Sequence, residues 1–317
     1  MAAGVLNSVS IKKESVWGTA VVPDKSLPVS FSGGIKTDIA LEELTQLKGT
    51  LAKNYNTLIG ARTHEGEFEM ELFPDYPAYF ALSAMGAVTS TAKSAPNAAV
   101  YDHVITEAET KPSLTIEQAI TNNVRRFAGA IATGFKISAK AGETVKFTTG
   151  IKAKSQATAT AITTAYATTR PFNFNEVAFK VASTQISEVT SLELEYKNNV
   201  EFLHALSSSN DPNYSYVKGS EVTGKVEMFL DATSTAVMTD YLAKTDKAID
   251  IVMTGDTIGT SSNNGLAISI PKATYKTAVT EIKEDFNLLT VEFVGYYDTA
   301  TSKLLSVTFT NLLTALS

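Results

Sequence analysis

Polar and apolar positions alternate with period two over several short runs of this chain. Glu67-Phe68-Glu69-Met70-Glu71-Leu72 is the clearest, with Phe68, Met70 and Leu72 on one side of an extended backbone and glutamates on the other. Leu192-Glu193-Leu194-Glu195 repeats that arrangement. Leu114-Thr115-Ile116, Leu266-Ala267-Ile268-Ser269-Ile270 and Val291-Glu292-Phe293-Val294 read the same way, as strands buried on one face. Helical signals are few and short. One runs from Tyr76 to Met85 after Pro74-Asp75; the other runs from Thr235 to Lys244 after Asp231, with Ser234 as its expected N-cap. The pattern predicts an all-β protein with short flanking helices.

The segments also recur in order. Gly66-Glu67-Phe68-Glu69-Met70-Glu71-Leu72 matches Gly224-Lys225-Val226-Glu227-Met228-Phe229-Leu230, and a short helix follows each. Residues 112–116 then match 264–268, 127–131 match 275–279, and 145–150 match 291–295. Any two β-rich halves share some likeness, but this ordered series points to a tandem duplication. An Ala/Thr-rich tract over 155–169 reads as linker or edge segment. The expected organisation is an arm over 1–23, a first domain over 24–158, a linker over 159–171 and a second domain over 172–317. A long polar stretch precedes each Gly-x-x-Glu-Met strand, Glu42 to Glu65 and Lys197 to Thr223, and both read as loops. Unstructured loops longer than about 15 residues are uncommon unless functional.

Composition narrows the function classes. The chain has 317 residues, the size of two domains, with 44% hydrophobic residues and mean hydropathy +0.02. Its apolar runs fall short of the roughly 18 residues that cross a membrane, and its first residues lack a secretory pattern. Assembly in a cytoplasm is therefore expected. Cysteine is absent, which excludes disulfides, thiolate metal sites and thiol nucleophiles. A net charge of −6 argues against non-specific grip on nucleic acid. His64, His103 and His204 lack metal-ligand spacing, and Asp246 to Asp256 departs from a calcium loop. Phosphate-loop and nucleophile-elbow signatures are missing. Arg125-Arg126 reads as well as a solvated turn as a binding pair. No cofactor, metal or catalytic residue is expected. The three glutamates of 67–71 could be weighed as acid–base groups of a carbohydrate-active enzyme, but alternation along one strand describes an exposed face more simply.

The N-terminal run Ile11-Lys12-Lys13-Glu14-Ser15-Val16-Trp17-Gly18-Thr19-Ala20, followed by Leu27-Pro28-Val29, resembles the opening of tail tube proteins of long-tailed, non-contractile phages. Gly66 to Leu72 with its helix, and Lys111 to Glu117, are similar to later segments of that family. The second half lacks the Gly-Thr-Ala arm. The resemblance implies tandem tail-tube domains of the β-sandwich type, each contributing four strands to a closed inner β-barrel. It implies rings stacked into a tube, hexameric in most members and trimeric, pseudo-hexameric in duplicated ones, with an acidic channel for DNA ejection. Implied partners are further copies of the chain, the tape-measure protein, the tail terminator and the distal tail protein. Viral DNA would pass without specific binding, no membrane would be involved, and the virion tail would be the final location. Inter-ring contacts would fall on the long loops, with Glu42, Lys48, Arg62, Asn210, Asp211 and Tyr214 as candidates.

A size argument separates the stoichiometries. A closed barrel of about 24 strands has a backbone diameter near 48 Å, leaving a bore of roughly 35–40 Å, whereas about twelve strands leave only about 12 Å. About three copies with two such domains each therefore close a suitable channel. The apolar partners must face the sandwich core, so Glu67, Glu69, Glu71, Glu193, Glu195 and Glu227 are expected to face the lumen. Residues 1–158 carry 16 basic and 15 acidic residues and the remainder 11 and 18, so the second half should be the more negative. The rival readings are another virion module, such as a head–tail connector, a decoration protein or an adhesin sandwich, and the glutamate-based enzyme.

Overall fold

The structure is a computed structural model that describes residues 7–30, 34–45, 49, 51, 54–121, 123–283 and 286–316. In chain order, β1 (Ser8–Lys13), β2 (Lys25–Leu27), β3 (Gly34–Thr45) and β4 (Asn54–Glu71) lead to α1 (Pro77–Met85). There follow β5 (Gly86–Ala92), β6 (Tyr101–Glu107), β7 (Leu114–Ile120), β8 (Asn123–Ala132), β9 (Gly134–Lys140), β10 (Lys146–Ala153) and β11 (Ser155–Thr158). The remainder contains β12 (Val177–Val181), β13 (Thr184–Ile186), β14 (Val189–Lys197), β15 (Val200–Leu203), β16 (Tyr214–Val217) and β17 (Glu221–Phe229). After α2 (Ala232–Ala243) come β18 (Lys247–Thr257), β19 (Asn263–Lys283), β20 (Phe286–Gly295) and β21 (Ser306–Asn311). Strand takes 59% and helix 7%, which makes the protein mostly β, in large antiparallel sheets.

One sheet runs through the whole chain. β4 pairs with β3 on one side and β10 on the other, and β10 continues to β9. β9 pairs along its length with β14, from Lys140 opposite Ser191 to Gly134 opposite Lys197. The sheet then passes through β17 and β20 to the C-terminal part of β19. Its order is β3-β4-β10-β9-β14-β17-β20-β19, eight antiparallel strands. A second layer has the order β2-β1-β7-β8-β11 in the first half. Its counterpart in the second half is β13-β12-β18-β19-β21, where β19 contributes its N-terminal part. β21 goes on to pair with β6, and β6 with β5. Side chains of both layers join one core cluster.

The join between halves is a packed one. Phe80 stacks on Phe147, Phe147 on Phe135, and Phe135 on Tyr196, with ring centroids 6.4, 5.9 and 5.3 Å apart. Buried Asn198 donates to the carbonyls of Ala84 and Ala132 at 3.0 and 2.7 Å. Gly134, at the turn from β8 into β9, has φ +154°, and a Cβ there would lie 2.1 Å from the Tyr196 carbonyl oxygen. Only glycine lets the two backbones approach so closely.

Several expectations change in detail. Much of the two polar stretches is paired rather than loop: β3 and β4 pair out to Thr45 and Asn54, and β15 pairs with β16, while residues 204–213 between β15 and β16 form the expected loop. Antiparallel pairing satisfies their backbones without an apolar core, so polar composition alone misread them. α2 starts at Ala232 with Asp231, not Ser234, as N-cap. The Asp231 carboxylate accepts from the Ser234 amide at 2.8 Å while the Ser234 hydroxyl accepts from the Asp231 amide at 2.7 Å, a reciprocal capping box. β7 is buried on both faces, because the N-terminal arm and residues 159–165 cover the side away from the core. Finally, residues 112–116 enter β7 while 264–268 lie in β19, whose position in the layer is that of β8. The Leu-x-Ile alternation is common to all such strands, so short matches do not fix register.

Candidate assembly surface

The inner sheet presents one face to the core and the other outward. On β4, Phe68, Met70 and Leu72 are buried while Glu67 and Glu71 are exposed and Glu69 is half-buried. On β14 and β17, Leu192, Leu194, Val226 and Met228 are buried, with Glu193 exposed and Glu195 and Glu227 half-buried on the opposite side. The six glutamates therefore share one face of one continuous sheet.

Lysines share that face too. Lys146 lies 3.4 Å from Glu69, Lys152 3.3 Å from Glu65, Lys136 3.0 Å from Glu193, Lys197 3.0 Å from Glu195 and Lys225 3.8 Å from Glu227. In the first half an acidic stripe on β4 thus stands beside a basic one on β10 and β9. The signal was in the sequence: Lys146-Phe147-Thr148-Thr149-Gly150-Ile151-Lys152 and Lys136-Ile137-Ser138-Ala139-Lys140 alternate as clearly as the glutamates. Small polar residues between the charges hid them. Exposed pairs of this kind contribute about 0–1 kcal/mol each, so the stripe is a surface property rather than a source of stability.

The sheet ends in two strand edges. β3 pairs only with β4, and from Thr274 onward β19 pairs only with β20, among the described residues. An even strand number makes these edges antiparallel to each other. Uncovered edges of this length invite another strand.

The N-terminal motif forms a lock on the outer layer. Buried Glu14 accepts from the Ser113 hydroxyl and the Gly18 amide on one oxygen, at 2.7 and 2.9 Å. Its other oxygen accepts from the Thr115 hydroxyl and the Gly129 amide, at 2.7 and 2.8 Å. A buried carboxylate needs such a set of donors. Gly18 closes the turn with φ +76°, and its missing Cβ leaves room for the Lys154 side chain, whose ammonium sits 4.3 Å from the Trp17 ring centroid. Trp17 meets Phe202 edge-on at 5.7 Å, tying the arm to the second-half hairpin. Arg126 is no solvated turn residue: its guanidinium holds buried Glu117 at 2.6 Å.

The candidate loop residues divide. Glu42 is exposed on β3 and Tyr214 is exposed on β16. Lys48 lies outside the described residues. Arg62, Asn210 and Asp211 come together within the chain. The Asn210 side-chain amide donates to the carbonyls of Ile59 and Gly60 at 2.9 and 2.7 Å, and the main-chain carbonyl of Asn210 accepts from the Arg62 amide at 2.8 Å. Asp211 approaches buried His64, with 3.5 Å between Oδ1 and Nε2. Burial holds the His64 pKa below its ordinary 6.5, with Asp211 pulling partly the other way. His103 is buried between Ser90 and Asn311, and His204 is exposed and bonded to the Arg62 carbonyl. Among the described residues no group of three or more His, Cys, Asp or Glu could hold a metal, and no helix is long and apolar enough to cross a membrane.

An antiparallel subunit whose inner sheet ends in two open edges is one that other strands can continue, the arrangement of a self-associating structural protein. Residues 4–295 match the family described as phage tail tube protein, and the chain belongs to that family. It is a structural subunit of the virion tail, from a family that self-assembles into a tube. Comparison with curated proteins gives no match.

Proposed function

We propose that three copies of the chain join their inner sheets edge to edge into one closed barrel, and that such rings stack into the channel for DNA ejection. The observation that carries this is the continuous eight-stranded sheet, in which β9 of the first half already pairs with β14 of the second within the chain. About 24 strands then close, with a bore wide enough for a duplex. The shared order of pairings in the two halves supports tandem domains over 24–158 and 172–317, joined by the linker at 159–171. The exposed face with Glu67, Glu69, Glu71, Glu193, Glu195 and Glu227 lines the lumen on this reading. Five of its lysines are held in ion pairs with glutamates, three across strands and two along one strand, and so are less free to grip phosphate. The outer end of the β3–β4 hairpin, with Glu42, and the exposed Tyr214 reach the adjacent ring. Arg62, Asn210 and Asp211 instead fix the second hairpin to the first half. The tape-measure protein, tail terminator and distal tail protein are the further partners, and assembly takes place in the host bacterial cytoplasm.

Electron microscopy of the purified full chain tests the proposal. Hollow tubes with three copies per ring are expected. Discrete monomers at all concentrations would overturn the assembly, and tubes with another copy number would overturn the stoichiometry.

A further inference from the structure

We infer that the β19 edge of one copy meets the β3 edge of the next in a single register, the one β9 and β14 hold within the chain, keyed by Lys36 with Glu281 and Asp38 with Lys276. This rests on the edge-to-edge reading above and specifies it.

The correspondence follows strand by strand. Gly66 lies opposite Ile35, as Gly224 lies opposite Leu194, so Lys36 takes the place of Glu195 and Asp38 that of Lys197. At the other edge Met70 lies opposite Phe147, and Met228 opposite Leu289. Phe147 in turn faces Ile137, and Leu289 faces Thr280, so Val279 takes the place of Lys136 and Thr277 that of Gly134. Within the chain Glu195 is opposite Lys136 and Lys197 opposite Gly134. Carried to the open edges, this register sets Lys36 opposite Val279, Asp38 opposite Thr277 and Gly34 opposite Glu281.

The charges agree with that register. The internal junction is bridged diagonally by Lys136 and Glu193, 3.0 Å apart. At the open edges Lys36 and Glu281 take the places of Glu195 and Ser138, the other diagonal of the same four positions, with the base on the first strand and the acid on the second. Asp38 comes beside Lys276, the extra residue of the irregularity between Tyr275 and Thr277. All four side chains are exposed, and none forms an ion pair among the described residues. Their charges are thus available to a neighbour. A slip of one residue turns Ile35 away from the core. A slip of two sets Lys36 against Lys276 in one direction; in the other it puts Lys36 directly opposite Glu281 but separates Asp38 from Lys276, so the Asp38–Lys276 contact is what disfavours it.

Because the chain has no cysteine, the register can be read by cross-linking. Directly opposed residues of paired strands have Cα atoms about 4.5–5.5 Å apart, within the span of a disulfide. The full chain with Lys36→Cys and Val279→Cys, assembled and mildly oxidised, is expected to run as covalent multimers on a non-reducing gel. Cross-links from Lys36→Cys to Thr277→Cys or Glu281→Cys, but not to Val279→Cys, overturn the register while leaving edge-to-edge assembly standing. A wild-type chain that forms neither rings nor tubes under the microscope overturns the assembly reading, and this inference with it. Should the cysteine variants misfold by circular dichroism, charge exchange decides. Glu281→Lys is expected to weaken assembly by about threefold to tenfold, and adding Lys36→Glu to restore it. A double exchange no better than the single one overturns the proposal.

Discussion

The two halves of the chain pair their strands in the same order yet fill corresponding positions with different chemistry. α1 follows β4 and α2 follows β17, but all nine residues of α1 are buried, whereas only Ser234 and Val237 are buried among the described side chains of α2. The cause is a difference in cover. α1 packs against β8 and β9 and also against β5 and β6, a hairpin inserted before β7; α2 packs against β19 and runs almost directly into β18. The sealed helix has Pro77 at its start and no side-chain cap, while the open one carries the Asp231–Ser234 box. A covered helix is held by its apolar surface and an uncovered one leans on its ends. The exposed face differs as well. Where the first half sets Glu71 and Lys146, the second sets Phe229 and Leu288, opposite each other on β17 and β20. The more acidic half by composition thus has the more apolar end on this face.

The largest effect should separate the helices. Phe80→Ala empties a fully buried site and is expected to cost about 3–5 kcal/mol, against about 1–3 kcal/mol for Val237→Ala. Urea unfolding followed by circular dichroism measures both. Equal losses would mean that cover by β5 and β6 does not distinguish the helices. Next in size, Asp231→Ala should cost about 1 kcal/mol and speed amide exchange in the first turn of α2 while leaving α1 unchanged. Unaltered exchange there would show that tertiary contacts, not the cap, hold that end.

The sequence made the β class legible because half-buried strands print their alternation directly, as at Glu67 to Leu72 and Leu192 to Glu195. It also exposed the N-terminal motif, though not its reason, since the donors to Glu14 come from Ser113, Thr115 and Gly129, about a hundred residues away in the chain. Strand edges were invisible for the same cause. Which strand ends a sheet depends on pairing between segments distant in sequence, which β3 and β19 do not reveal by themselves. The hairpins were mistaken for loops because their arms bury little, so alternation is lost where both faces are wet. The lysine stripe could have been found, since it alternates on β9 and β10; it needed the strand order to place it beside the glutamates.

The smallest effect concerns a single corresponding pair. His64 on β4 holds the place that Val222 holds on β17, two residues before Gly66 and Gly224 respectively, and both side chains are buried. The histidine bonds the Thr37 hydroxyl at 2.9 Å through Nδ1 and turns Nε2 toward Asp211, with Arg62 adding unfavourable charge nearby. Burial lowers its pKa in the folded chain below the ordinary 6.5, so folding favours the neutral ring. The unfolded chain therefore takes up the proton first as pH falls. The stability this site contributes is full above pH 6.5 and is lost as pH drops from there toward the lowered folded value. Thermal or urea unfolding between neutral and mildly acidic pH should accordingly show a shallow decline. Copying the second half with His64→Val should flatten that decline, since valine neither titrates nor needs Asp211. A decline of unchanged slope in His64→Val would overturn the assignment of the pH response to His64. The buried carboxyl of Asp75, its pKa raised by burial, acts with the opposite sign: it adds stability on the acid side and can only oppose the predicted trend, and a steeper decline in Asp75→Asn would reveal its share.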